Sequence, residues 1–196
     1  SPANDFAAIG VTGSTVTLVD VNAIDLAATT ATGALSVTAG GAVTDSGTIV
    51  AGGATTISNA GATVELDSPA NDFAAIGVTG SAVTLVDVNA IVLAATTATG
   101  ALSVTAGGAI TDSGVITNDG QTATLDAGTN AITLSQSSDF GTLDVNGLVT
   151  DLAVTDVDDL ILAAVTTSGT LSVTAGGALT DSGTIVAGGA TTISNA

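Results

Sequence analysis

The sequence predicts an all-β protein, a parallel β-solenoid with about three short strands per coil, on three observations. Apolar residues alternate with polar ones at period two in short runs such as Leu35-Ser36-Val37-Thr38, the mark of a strand with one buried face. The runs end in Gly, Asn or Asp, the residues of tight corners. The pattern also repeats: LSVTAGGAVTDSG at 35–47 returns as LSVTAGGAITDSG at 102–114 and as LSVTAGGALTDSG at 171–183. Within the first copy, Leu35 and Val37 form a strand and Gly40-Gly41 a corner, for which positive φ angles are expected. Val43 is the next apolar point, Asp45-Ser46-Gly47 the next turn, and Ile49 opens a further strand. No helical periodicity competes with this reading.

Composition narrows the function. The 196 residues contain no Lys, Arg, His, Cys, Met, Trp or Tyr, and 18 acids give a net charge of −18. Hydrophobic residues still make up 45% of the chain, which separates it from a disordered acidic tail. Small and β-branched residues in short runs fit many short strands. No apolar run reaches the ~20 residues of a membrane-spanning helix. The missing basic side chains argue against nucleic acid or an anionic membrane as a partner. Without Cys there is no disulfide framework. The lack of Met, and a last segment (184–196) that copies 48–60 and stops in mid-repeat, lead us to expect a window from a longer array.

The repeat has two levels. SPANDFAAIGVTGS begins at Ser1 and again at Ser68, a period of 67, and Phe6, Phe73 and Phe140 hold the same phase. The LSVTAGG copies lie 67 and then 69 apart, so two residues are inserted between Phe140 and Leu160. The expected organisation is one continuous solenoid, 1–196, with units 1–67, 68–134 and 135–196, the last incomplete. Within a unit, VTLVDVNAI at 16–24 aligns with LSVTAGGAV at 35–43, and TTISNAGAT at 55–63 aligns one step further on. The next VTL begins at Val83. Coil starts at 16, 35, 55 and 83 divide the unit into expected coils of 19, 20 and 28. Eight or nine coils at ~4.8 Å each would give a rod of roughly 40 Å. The excess of the longest coil lies in DSPAND at 67–72, expected to bulge as a loop, with Phe73 filling a wider corner of the core.

In combination, LSVTAGGA-V/I-TDSG, ANDF and VTLVDVNAI resemble the repeats of large secreted adhesins of the filamentous haemagglutinin type, over essentially the whole chain. The resemblance implies a right-handed parallel β-helix, export across a Gram-negative outer membrane, and a place in the shaft of an adhesin or surface fibre. The family's amino-terminal secretion domain is not among these residues.

Chemistry in the repeat is sparse. Paired carboxylates can act as acid and base, but sugar-cleaving sites also use aromatic and basic groups, and this chain offers only three Phe. A Ser nucleophile has no His or Lys to activate it. The expectation is a non-enzyme. Oxygen-only side chains do suit Ca2+. The best local candidate is TDVDD at 155–159, where Asp156 and Asp158 stand two apart with Asp159 beside them, and the competing reading is a solvated acidic corner. The glycine-rich GGxGxD calcium repeat is absent, the Thr-x-Thr pairs fall at different phases of the coil, and no Asn-x-Ser/Thr sequon occurs.

Eighteen charges on roughly 40 Å approach the axial charge density of duplex DNA, one per ~1.7 Å, so cations from solution must balance them. The functional expectation is a structural, non-catalytic shaft: a stiff acidic spacer, extracellular or on the surface of a Gram-negative bacterium. It requires no cofactor, with Ca2+ at most a counter-ion. It self-associates laterally or end to end, binds glycans only through regions outside this segment, and neither binds nucleic acid nor inserts in a membrane. The alternative is a surface module that binds Ca2+ or carbohydrate through its Asp-rich corners and the DSPAND loops.

Overall fold

The computed structural model describes residues 4–195 and contains strands and no helix. The strands are joined by corners of a few residues, and every pairing among them is parallel. Parallel neighbours joined by such a wind, with each strand stacked on the one a coil earlier, make a β-solenoid. One column of stacked residues traces its length: Ile24, Val43, Val64, Val83, Leu102, Ala123, Leu143, Leu162 and Asp181. The column passes through about nine turns and advances by 19 to 21 positions at each step.

The alternation works as the sequence implies. In Leu35–Ala39 the residues Leu35, Val37 and Ala39 are buried, while Ser36 and Thr38 point outward. The same pattern holds in Leu102–Ala106 and Leu171–Ala175. The interior is a continuous stack of Val, Ile, Leu and Ala, with Phe73 and Phe140 its largest fully buried side chains. Each Val, Ile, Leu or Phe side chain contributes about 1.5–3 kcal/mol when taken fully out of water. Phe73 therefore fills the core, as expected.

The predicted division into coils of 19, 20 and 28 is half right. Leu18 stacks on Val37, Ile24 on Val43 and Val37 on Ile57, which confirms the first two steps. The long third coil does not exist. Thr55 is covered by Ile76, not by Val83, and Val83 is covered by Leu102 and itself covers Val64. One repeat unit, with its period of 67, thus holds three coils of about 20 plus one extra strand segment of about seven.

Each repeat consequently starts one face further round the rod. Leu35 stands in the column Val16–Leu35–Thr55–Ile76. Leu102 stands in the column of Val43, the strand that follows Leu35. Leu171 stands in the column of Ile110, the strand that follows Leu102. Identical segments therefore never stack, and every level rests on a different sequence. A slip by one coil would place unlike corners together, which helps to hold the register.

The glycine corner also differs from expectation. Gly40 and Gly41 do not take positive φ; among the described residues that conformation belongs to Gly61, Gly120, Gly128 and Gly147. A Cβ on Gly40 would instead lie 2.1 Å from the carbonyl oxygen of Val21 in the coil below, and the same approach recurs at Gly107 (2.2 Å from Val88 O) and Gly176 (2.0 Å from Val157 O). The amide of Gly40 donates to Asp20 O and that of Gly41 to Asn22 O, so the two corners are hydrogen-bonded flush. Glycine is required there because coils touch backbone to backbone.

Candidate functional site

The corners where VDVN meets ANDF carry the polar chemistry of the rod. Asp87 ends the strand Val83–Asp87 and is buried, 2% exposed. Its carboxylate accepts from the backbone amides of Phe73 at 2.7 Å and Asn89 at 2.9 Å. Asn89 in turn donates its side-chain amide to Asp72, at 3.1 Å. The first unit repeats the arrangement, with Asp20 accepting from Phe6 and Asn22 while Asn22 donates to Asp5 at 2.8 Å. Two corner N–H groups in each unit are thereby satisfied, and a buried carboxylate gains two charge-assisted bonds.

A second clamp joins TDSG to the DSPAND segment. Asp45 accepts from the amides of Asp67 and Ser68 and from the side chain of Asn71, the last at 2.7 Å. Asn71 is fully buried and accepts from Ile49 N at 2.8 Å. The loop predicted at 67–72 is therefore exposed at Asp67, Pro69 and Ala70 but anchored by an internal Asn. The later copy, SQSSD, keeps the clamp with other residues: Asp112 accepts from Ser135 and Gln136, and buried Ser138 accepts from Ile116 N at 3.0 Å. The opening copy begins at residues 1–3, which lie outside the described residues.

The three acids singled out from the sequence separate in space by role. Asp156 is buried, 3% exposed, and staples its corner as Asp20 and Asp87 do, accepting from Phe140 N at 2.8 Å and Asp158 N at 3.1 Å. Burial, offset in part by those two amides and reinforced by the charge of Asp158, pushes its carboxyl up to about 6. Asp159 accepts from Ala178 N at 2.6 Å. Asp158 alone turns to a cluster, with Asp119 and Asp139, whose carboxylate oxygens all lie within 4.8 Å of one another. Asp156 and Asp159 are occupied by backbone amides.

The cluster arises by substitution within the repeat. Asp139 matches Asp72, whose partner Asn89 donates to it; at the matching position stands Asp158, which cannot. Asp119 occupies the position of Gly52 in the preceding unit. Two changes thus convert a corner with one hydrogen-bonded carboxylate into three carboxylates on successive coils, at positions 119, 139 and 158. Asp139 Oδ1 is buried and has no hydrogen-bond partner. Burial, with the charges of Asp158 and Asp119, holds the Asp139 carboxyl above its ordinary range. An arrangement of oxygen ligands without a donor among them suits a hard cation such as Ca2+. Sequence reasoning missed Asp119 and Asp139, although acids one coil apart would have flagged them once the coil length was known.

Comparison with known proteins agrees with the repeat. A family model described as repeats of unknown function (DUF5649) matches residues 13–79, 80–146 and 149–196. The first two matches each span one full period of the repeat, and the break at 147–148 falls in the interval where the two inserted residues were expected. No curated protein and no solved structure matches. The chain, matched over nearly its whole length by three successive copies of that model, belongs to the DUF5649 repeat family.

Proposed function

We propose that this chain is a structural, non-catalytic shaft, a stiff acidic spacer within a large exported adhesin or extracellular fibre of a Gram-negative bacterium. The observation that carries the reading is the uninterrupted ladder of about nine levels over one apolar core, with buried Asp staples at its corners in place of disulfides. Such a stack resists bending because every coil is hydrogen-bonded to both neighbours. The lack of Lys and Arg removes the cleavage sites of basic-specific proteases and leaves the acidic charge to be balanced by cations from solution. The test is antibody labelling of intact producing cells, together with a glycan array on the isolated chain. Surface labelling with no saturable glycan binding supports the spacer; labelling confined to lysed cells overturns it, and so does a specific glycan hit.

A second reading has its own observation. The triad Asp119, Asp139 and Asp158 takes a divalent cation such as Ca2+, which would staple three successive coils. Calorimetry and thermal melting with Ca2+ test it, using a chain restored to the repeat pattern by Asp119→Gly and Asp158→Asn. A Ca2+ concentration about 100-fold above Kd should stabilise the native chain by about 2.7 kcal/mol and leave the restored chain unaffected. Equal responses from both chains reduce the effect to non-specific counter-ions.

A further inference from the structure

We propose that Asn146-Gly147 is a site of spontaneous backbone chemistry, at which the folded rod loses a side-chain amide and gains an aspartate or isoaspartate without an enzyme. It is the one Asn-Gly pair in the sequence, and it lies at the insertion that sets the third repeat unit apart. Strands Val83–Asp87 and Leu152–Asp156 are counterparts, each ending in the Asp that staples its Phe corner. The path from Val78 to Val83 takes five steps and that from Val145 to Leu152 takes seven, and the break between the second and third family matches falls on 147–148. The extra length stands on the outside of the rod: Asn146 and Gly147 are exposed, and Leu148 is 48% exposed. Gly147 takes a φ of +76, and a Cβ there would meet nothing nearer than Gly128 O at 3.9 Å. Both flanks are held in the ladder. Asn146 N donates to Leu125 O at 2.8 Å, and fully buried Val149 donates to Thr166 O at 3.1 Å.

The surroundings of this Asn differ from those of its fellows. Asn22, Asn59, Asn71, Asn89, Asn118 and Asn130 each tie up the side-chain amide nitrogen in a hydrogen bond, and each is followed by Ala or Asp. Among the described residues the Asn146 side chain has no hydrogen-bond partner, and the Gly147 amide has no acceptor. A group locked in a ladder or a side-chain bond must first open, at a cost in free energy, before it can react. Here nothing has to open. Base takes the Gly147 amide proton, and the nitrogen attacks Cγ of Asn146. The Cγ–Nδ2 bond breaks as the new C–N bond forms, and ammonia leaves with a proton returned to it. Water then opens the cyclic imide. Addition at Cγ gives aspartate; addition at the main-chain carbonyl gives isoaspartate, with a methylene added to the backbone. No electrons are transferred, and the balance is one water in and one ammonia out. Glycine matters at the second position because it puts no Cβ in the path of the attack. The product carboxylate stands one coil from Asp126, which follows Leu125, the ladder partner of Val145, so an aged rod carries one more negative charge than a new one.

The test ages the folded chain at mildly alkaline pH and maps it by mass after digestion with a protease that cuts at acidic residues, since the chain has no Lys or Arg. The fragment carrying residue 146 should gain the mass difference between a carboxylic acid and an amide, at a rate about tenfold or more above that of any of the six hydrogen-bonded Asn. Gly147→Ala, checked for a native β spectrum, should slow the loss by about tenfold or more. A parallel run on chain unfolded in urea separates fold from sequence: unfolding should accelerate the six hydrogen-bonded Asn far more than Asn146. Loss at Asn146 no faster than at those six in the folded chain would overturn the proposal. Equal rates in the native chain and Gly147→Ala would do the same, as would an Asn146 that reacts only once the chain is unfolded.

Discussion

Lowering the pH from 7 to 4 should stabilise this rod, the reverse of what paired carboxylates do in most proteins. The largest identified contribution is Asp156. Its carboxyl is pushed from an ordinary 3.8 to about 6, first by burial, against the opposing pull of the Phe140 and Asp158 amides. A raised value means the folded state holds the proton more tightly than the unfolded chain. The resulting stability is fully present below about pH 3.8 and is lost as pH rises through about 6. A shift of roughly two units corresponds to ~3 kcal/mol, and for a chain of this size that is about 6–12 °C in Tm. Burial moves Asp87 and Asp139 in the same direction. Asp151 runs the other way, because the hydroxyl and amide of Thr170 lower its carboxyl, and its contribution fades below the ordinary carboxylate range. The assay is melting by circular dichroism at constant ionic strength and low protein concentration, on the native chain and on Asp156→Asn. The native Tm should climb between pH 7 and 4, and the variant should lose about 3 kcal/mol of that gain. Superimposable pH profiles for the two chains would refute the reasoning, as would a native Tm that falls over this interval.

Further outcomes follow from the corners. Gly40→Ala should destabilise by about 3 kcal/mol or more, since the new Cβ meets the backbone of Val21, which cannot yield as a side chain can; Gly61→Ala, with φ +78 but open space around it, should cost only about 1–2 kcal/mol. Urea denaturation of both ranks them, and equal losses would show that corner glycines act through φ after all. Asp87→Ala leaves the amides of Phe73 and Asn89 without their acceptor and should cost about 2–4 kcal/mol, with faster hydrogen exchange at those two amides. Phe73→Ala should cost about 3–5 kcal/mol by opening a cavity in the core.

The parts of this fold legible in the sequence are those set by period-two alternation. Leu35 and Val37 face inward, Ser36 and Thr38 outward, and the first two coil steps follow from matching apolar points. The third step failed because alignment seeks like sequences, whereas a parallel ladder asks only for matching pleat and corner. Thr55-Thr56-Ile57 accepts Ile76-Gly77-Val78 as readily as a copy of itself. The same mistake hid the acid cluster: with a long third coil, Asp119, Asp139 and Asp158 do not line up, and with coils of about 20 they do. Asn71 was out of reach for another reason. Its side chain replaces a ladder acceptor inside a corner, and nothing in DSPAND distinguishes an internal Asn from a loop Asn.

The advance of one face per repeat is the central structural claim, and cysteine crosslinking tests it directly because the chain has no Cys of its own. In the structure Thr84 is the ladder partner of Glu65, whereas Thr56 pairs with Gly77. Adjacent parallel strands are ~4.8 Å apart, within the span of a disulfide. The variant Glu65→Cys/Thr84→Cys should form an intramolecular disulfide on mild oxidation, and Thr56→Cys/Thr84→Cys, the pairing that a long third coil requires, should stay reduced. Crosslinking of the second pair and not the first would contradict the account.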